Sequence, residues 1–147
     1  SACDIAIGTY EAQFALSEVK LGIIPAVISP YVVAAIGPRK CRRYMLSAER
    51  FSAAEAYRIG LLHEIVPDDD ALDEAIGEIV DALMACGPRA QAECKDLIAA
   101  VAQRPVTPEL IEETARRITR VRASAEGREG IAASLEKRKP SWVNEKS

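Results

Sequence analysis

From Asp68 onward, apolar residues recur at helical spacing, and this commits the second half of the chain to helices. Leu72, Ala75, Ile76, Ile79, Val80, Leu83 and Met84 fall on one face of a first helix. Asp68-Asp69-Asp70 supplies its N-cap and puts negative charge where the helix dipole favours it. Gly87-Pro88 separates this helix from a second, with Ala90, Cys94, Leu97, Ile98 and Val101 expected inward. Thr107-Pro108-Glu109 caps a third. Its Glu112 and Glu113 come early and its Arg116, Arg117, Arg120 and Arg122 late, the charge order that one long macrodipole favours. A last helix starts near Glu126, carries Ile131 and Leu135, and stops at Lys137-Arg138-Lys139-Pro140.

The first half reads as a short α/β piece. Ile5 and Ile7 lie on one face of an opening strand, and residues 12–18 read as a second extended piece leading into a loop. Ser29-Pro30 predicts a helix start, a hydroxyl N-cap with Pro at the first helical position. That helix runs to about Ile36 and stops at Gly37-Pro38, and another spans Arg39 to Leu46. Ser52-Ala53-Ala54-Glu55 is a capping box for a short helix ended by Gly60, and residues 61–66 form a strand-like run closed by Pro67. The expected layout is an α/β piece over 1–67 and a helical tail over 68–147. The opening residues are core-like, with no polar lead-in of the kind termini usually carry, so the chain reads as a fragment whose first half is missing.

Composition narrows the functional classes. The chain has 147 residues, 49% apolar and 28% charged, enough for a folded domain with a core. No run of about 18 uncharged apolar residues occurs and the start lacks a secretory pattern, so neither a membrane nor export is expected. A net charge of −3 and 5% aromatic content argue against a nucleic-acid partner. Cys3, Cys41, Cys86 and Cys94 fit neither metal spacing nor a disulfide framework, which suggests thiols in a reducing cytoplasm.

Few residues offer chemistry. His63 is the one histidine, and its place in an apolar run beside Glu64 suits a structural or surface role better than a catalytic one. The acidic run 68–70 is a better helix start than a metal site, and no metal is expected. Arg39, Lys40, Arg42 and Arg43 form the densest basic patch, best read as a solvated or anion-contacting helix face. Glu18 is different. It follows Phe14 and Leu16 and precedes Leu21, Ile23, Ile24 and Pro25, so its carboxylate is either partly desolvated and suited to acid/base work or a strand-end group pointing to solvent.

The segments Ala2-Cys-Asp-Ile-Ala-Ile7 and Ala12-Gln-Phe-Ala-Leu-Ser-Glu-Val-Lys-Leu-Gly-Ile-Ile-Pro25 resemble the enoyl-CoA hydratase (crotonase) superfamily. So do residues 46–62, Ser124-Ala-Glu-Gly-Arg-Glu-Gly130 and Glu136-Lys-Arg-Lys-Pro140, in the family's order. The resemblance implies the C-terminal half of a crotonase-type β-β-α spiral fold over 1–67, followed by a helical oligomerisation and CoA-edge region over 68–147. It implies reversible addition of water across the 2,3 double bond of an acyl-CoA thioester. Coenzyme A is then part of the substrate and no separate cofactor is needed. Glu18 aligns with the second family glutamate, the usual proton donor to the α-carbon. The first glutamate and both oxyanion-hole donors would lie before Ser1. Pro25 and Ala26 align with the acyl-pocket loop, and Lys137 with a family lysine near the CoA phosphates, its alternative being a solvated helix-end lysine. The family's helical tail builds trimers, so a homotrimer or a dimer of trimers is expected.

Residues 16–22 and 25–30 look most like the methylglutaconyl-CoA hydratase branch. Ser17 stands where the family often has Pro, and Ala26-Val27-Ile28-Ser29 replaces a common Gly-x-Gly-Gly. The added side chains must reshape the acyl pocket, which favours a branched acyl group. An enoyl-CoA isomerase of the same superfamily and a non-catalytic assembly module are the alternatives.

Overall fold

Strand pairing in the first half is shorter than the apolar pattern predicts, because the chain turns after two or three residues each time. The computed structural model describes residues 1–143, which divide into two compact units, Ser1–Glu78 and the chain from Ile79 on. In the first unit β1 (Ile7–Thr9) pairs in parallel with β4 (Glu64–Val66), in the register Ile7↔Glu64, Gly8↔Ile65 and Thr9↔Val66. Ile5 precedes β1 and is exposed, so it does not share a strand face with Ile7 as expected. The antiparallel pair β2 (Gln13–Phe14) and β3 (Phe51–Ser52) forms a second two-stranded sheet.

The helices of this unit follow their local signals with one exception. Helix α1 (Ser29–Ser47) runs through the expected break but kinks there, because Gly37 takes φ 77°, ψ 159°. Only glycine adopts that conformation without strain, and Pro38 then restarts the helix. The exception is Ser29. Ile28 occupies the N-cap, and the Ser29 hydroxyl donates backward to the Ala26 carbonyl at 2.8 Å instead of accepting from the helix. Helix α2 (Ala53–Ile59) has the expected Ser52 cap, accepting from the Glu55 amide at 3.3 Å, and ends at Gly60 with φ 85°. The reciprocal half of the box is missing, since the Glu55 carboxylate instead takes the Tyr44 hydroxyl and the Arg58 guanidinium. Those partners, Arg58 first, hold the Glu55 carboxyl down at about 2. Val32, Ile36, Cys41, Tyr44, Phe51, Ala53, Ala56, Ile59 and Leu62 form the core.

Helix α3 (Asp69–Met84) begins where expected, with Asp68 Oδ1 accepting from the Ala71 amide at 2.9 Å. It is followed by α4 (Pro88–Val101), α5 (Pro108–Arg122) and α6 (Ala125–Glu136). The Thr107 and Ser124 hydroxyls cap α5 and α6, at 3.3 Å to the Leu110 amide and 3.0 Å to the Gly127 amide. Helix α4 has no local side-chain cap. The Glu126 carboxylate of α6 fills that role, accepting from the Arg89 and Ala90 amides at 3.1 and 2.7 Å. A Cβ on Gly87 would lie 2.5 Å from Glu126 Oε1, so a larger residue there would push the capping carboxylate aside. Cys94 and Ile98, expected inward, are exposed, as are Val80, Leu83, Ile111 and Ile118. The helical period is right, but within this unit the apolar faces are only partly covered. Among the described residues no helix is long and apolar enough to cross a membrane.

Candidate active site around Glu18

Glu18 does not end a strand. After β2 the chain passes through half-buried Leu16 to Ser17, whose backbone (φ −91°, ψ −1°) turns it into a single 3₁₀ turn, Glu18–Leu21. Backbone bonds close the turn: the Lys20 amide donates to the Ser17 carbonyl at 3.0 Å and the Ile23 amide to the Glu18 carbonyl at 3.3 Å. Gly22, at φ 72°, ends it in the left-handed region, the conformation that Gly tolerates best. The Ser17 side chain makes no cap bond.

The turn leaves Glu18 half-buried, with Oε2 shielded from solvent and without a hydrogen-bond partner among the described residues. A carboxylate oxygen accepts strongly, and leaving one buried and unpaired costs roughly 1–3 kcal/mol or more. Such a group in a native fold calls for an explanation, and a reacting proton or a bound molecule is one. The flanking loop is apolar and open to solvent: Leu21, Ile24 and Val27 are 76, 73 and 91% exposed.

Pro25 is buried and its carbonyl accepts from the Ser29 amide at 3.0 Å. Ala26 is exposed, but its amide donates to the Ile24 carbonyl at 2.8 Å and its carbonyl accepts from Ser29 Oγ. The Ala26 N–H is therefore committed within the loop. In the segment that replaces the glycine-rich pattern, Val27 at its variable position points to solvent, while Ile28 at a glycine position lines an apolar cavity of about 260 Å³ with Phe14, Leu16, Val32, Phe51 and Leu62.

Other candidates have structural partners. His63 Nδ1 accepts from the Ala6 amide at 3.1 Å, and its own amide donates to the Ala6 carbonyl, which ties the approaches to β1 and β4. In the basic patch, Lys40 caps α2 through the Ile59 carbonyl at 2.9 Å, and Arg43 forks onto Glu49 at 2.7 and 3.1 Å. Among the described residues no group of three or more His, Cys, Asp or Glu could hold a metal ion.

Lys137 belongs to the second unit. It is exposed at the C-cap of α6 with φ 54°, a left-handed position that usually falls to Gly. Sequence reasoning missed the role of its neighbour. Arg138 forks onto Glu129 at 2.7 and 2.9 Å and reaches Glu136 at 2.6 Å, while the Ser141 amide donates to Glu129 at 2.9 Å. Arg138, and then the Ser141 amide, hold the Glu129 carboxyl at about 2. This clamp folds the segment after Lys137 back on α6. Its only sequence signal is the nine-residue interval from Glu129 to Arg138, longer than any helical pair.

A family model described as enoyl-CoA hydratase/isomerase matches residues 1–145. The crystal structure of an enoyl-CoA hydratase from Shewanella pealeana superposes with a TM-score of 0.89 at 47% identity, over 95% of this chain and 51% of that one. An enoyl-CoA hydratase/isomerase from Marinobacter aquaeolei gives 0.89 at 33% identity, over 96% and 53%. An enoyl-CoA hydratase of Alternaria alternata is 35% identical over 95 residues, 65% of this chain and 32% of that protein. The chain thus spans about half the length of the solved structures, and less of that fungal enzyme. With a match that runs through the Glu18 turn to the Arg138 clamp, the chain belongs to the enoyl-CoA hydratase/isomerase family.

Proposed function

We propose that the chain is the C-terminal half of an enoyl-CoA hydratase, which adds water reversibly across the 2,3 double bond of an acyl-CoA thioester. The observation that carries this is the buried, unpaired Oε2 of Glu18 beside an exposed apolar loop. In the proposed reaction the first glutamate, from the upstream half, takes a proton from water as the water oxygen bonds to the β-carbon, and the electrons of the double bond move onto the α-carbon and the thioester oxygen. The charge that collects on the thioester oxygen is discharged when the Glu18 carboxyl gives its proton to the α-carbon. Backbone amides must hold that oxygen, and the Ala26 amide is already engaged. Those donors and the first glutamate belong to the upstream half of the enzyme. Ile28, on the wall of the cavity, favours a branched acyl group over a straight one. Exposed Val80, Leu83, Ile111 and Ile118 support association of the complete protein through its helical region, as a trimer or a dimer of trimers.

The complete enzyme, given a 2-enoyl-CoA, should consume the conjugated double bond and form the 3-hydroxyacyl thioester. Migration of the double bond in a 3-enoyl-CoA, with no water added, would assign the isomerase reaction instead.

Lys137 contacts the CoA phosphates in this reading, supported by a lysine occupying a backbone position where Gly would cost less. Lys137→Ala should raise KM for the thioester, more at low salt than at high, with kcat little changed. An unchanged KM at low ionic strength would make Lys137 a surface lysine.

A further inference from the structure

Local backbone bonds close the turn that carries Glu18, but no side-chain bond fixes its buried carboxylate oxygen. The turn that carries Glu18 has no side-chain cap, and Oε2 has no partner among the described residues. Its position is inherited from β2, four residues upstream, and from α1, against which the turn lies. Strand β2 is only two residues long and pairs with a strand equally short, which is too little to hold itself. What holds it is aromatic. The Phe14 ring stacks on Phe51 with centroids 5.7 Å apart, and Phe51 packs on Tyr44 at 4.3 Å. Tyr44 is 2% exposed and sits on α1. Its hydroxyl donates to Glu55 of α2, which Arg58 holds at 2.5 and 2.6 Å. Tyr44 thus ties α1, α2 and β3 together at the point where β2 docks.

We infer that Tyr44 is a positioning residue for Glu18, acting through the Tyr44–Phe51–Phe14 stack that anchors the strand leading into the Glu18 turn. The inference rests on the reading of Glu18 as the acid/base residue. Only Ala15, Leu16 and Ser17 separate Phe14 from Glu18, so a shift of the Phe14 ring passes directly into the turn. A displacement of about 1 Å at a reacting group can cost on the order of 10²-fold in rate.

In the complete enzyme, Tyr44→Leu should lower kcat per folded active site by roughly tenfold to 10²-fold and leave KM unchanged. Tyr44→Phe keeps the ring and should restore most of that loss. Phe14→Leu, at a half-buried position that tolerates change better, should lower kcat in the same way and serves if Tyr44→Leu does not fold. In a Glu18→Gln background neither leucine variant should lower turnover further, because the group they position is gone. Parental kcat in the folded leucine variants, or losses that multiply fully with Glu18→Gln, would overturn the positioning role. If Glu18→Gln itself kept parental turnover, the assignment of Glu18 would fall, and this inference with it. A Glu18→Gln enzyme that is inactive beside a fully active Phe14→Leu enzyme overturns the positioning role alone.

Discussion

Glu18→Gln in the complete enzyme should leave binding of the CoA thioester intact and lower turnover by roughly 10²–10⁴-fold, the usual worth of a positioned proton-transfer group. The substitution keeps the shape of the side chain and its place in the 3₁₀ turn, whose closing bonds are all backbone. It removes the charge and the ability to carry a proton. Because Oε2 is buried and unpaired, an amide there breaks no hydrogen bond among the described residues, so stability should change little. The expected signature is therefore a fall in kcat with an unaltered thermal midpoint and an unaltered affinity for a non-reacting CoA thioester. Turnover within a few-fold of the parent would remove Glu18 from the mechanism. A fall in kcat accompanied by a large loss of stability would mean that the carboxylate serves the fold.

Under the proposed assignment the 147-residue chain on its own should be catalytically inert, because that reading draws both oxyanion donors from an upstream half of the enzyme. Loss of one such donor typically costs roughly 10²–10³ in kcat, and here both are absent from the proposed site. The Ala26 amide, in the loop after Glu18, cannot substitute while it is bonded to the Ile24 carbonyl. The same reading assigns the first glutamate to the upstream half, so water activation in the chain alone should be incomplete as well. The same chain exposes apolar side chains at Leu21, Ile23, Ile24 and Val27, a surface that invites association. The test is a hydratase assay at high protein concentration on the purified chain, its mass verified and no longer species present. Adding a separately made upstream half should recover activity if the two pieces dock. Activity near that of a complete enzyme in the chain alone would show that an oxyanion hole forms within these residues.

Helix boundaries were legible in the amino-acid order because their causes are local. Asp68, Thr107 and Ser52 each cap an amide three residues ahead, and Gly60 and Gly37 take the positive φ of a helix end or kink without steric cost, so a window of four residues contains the whole argument. Resemblance to the family was legible for a similar reason, since its motifs are contiguous runs that survive without knowledge of contacts. Burial was not. Cys94 and Ile98 fall on the apolar face of α4 and yet meet solvent, because periodicity gives the direction of a face and says nothing of what covers it. The two polar ties that organise each unit, Tyr44 with Glu55 and Glu126 with the start of α4, join residues 11 and 36 or 37 positions apart. No local pattern encodes such pairs. The same holds at Glu18. Its neighbours announced an apolar setting, but that one carboxylate oxygen is shielded and unpaired depends on how β2, α1 and the 3₁₀ turn come together. Desolvation is a property of every atom within reach of a group, and only the folded chain brings those atoms there.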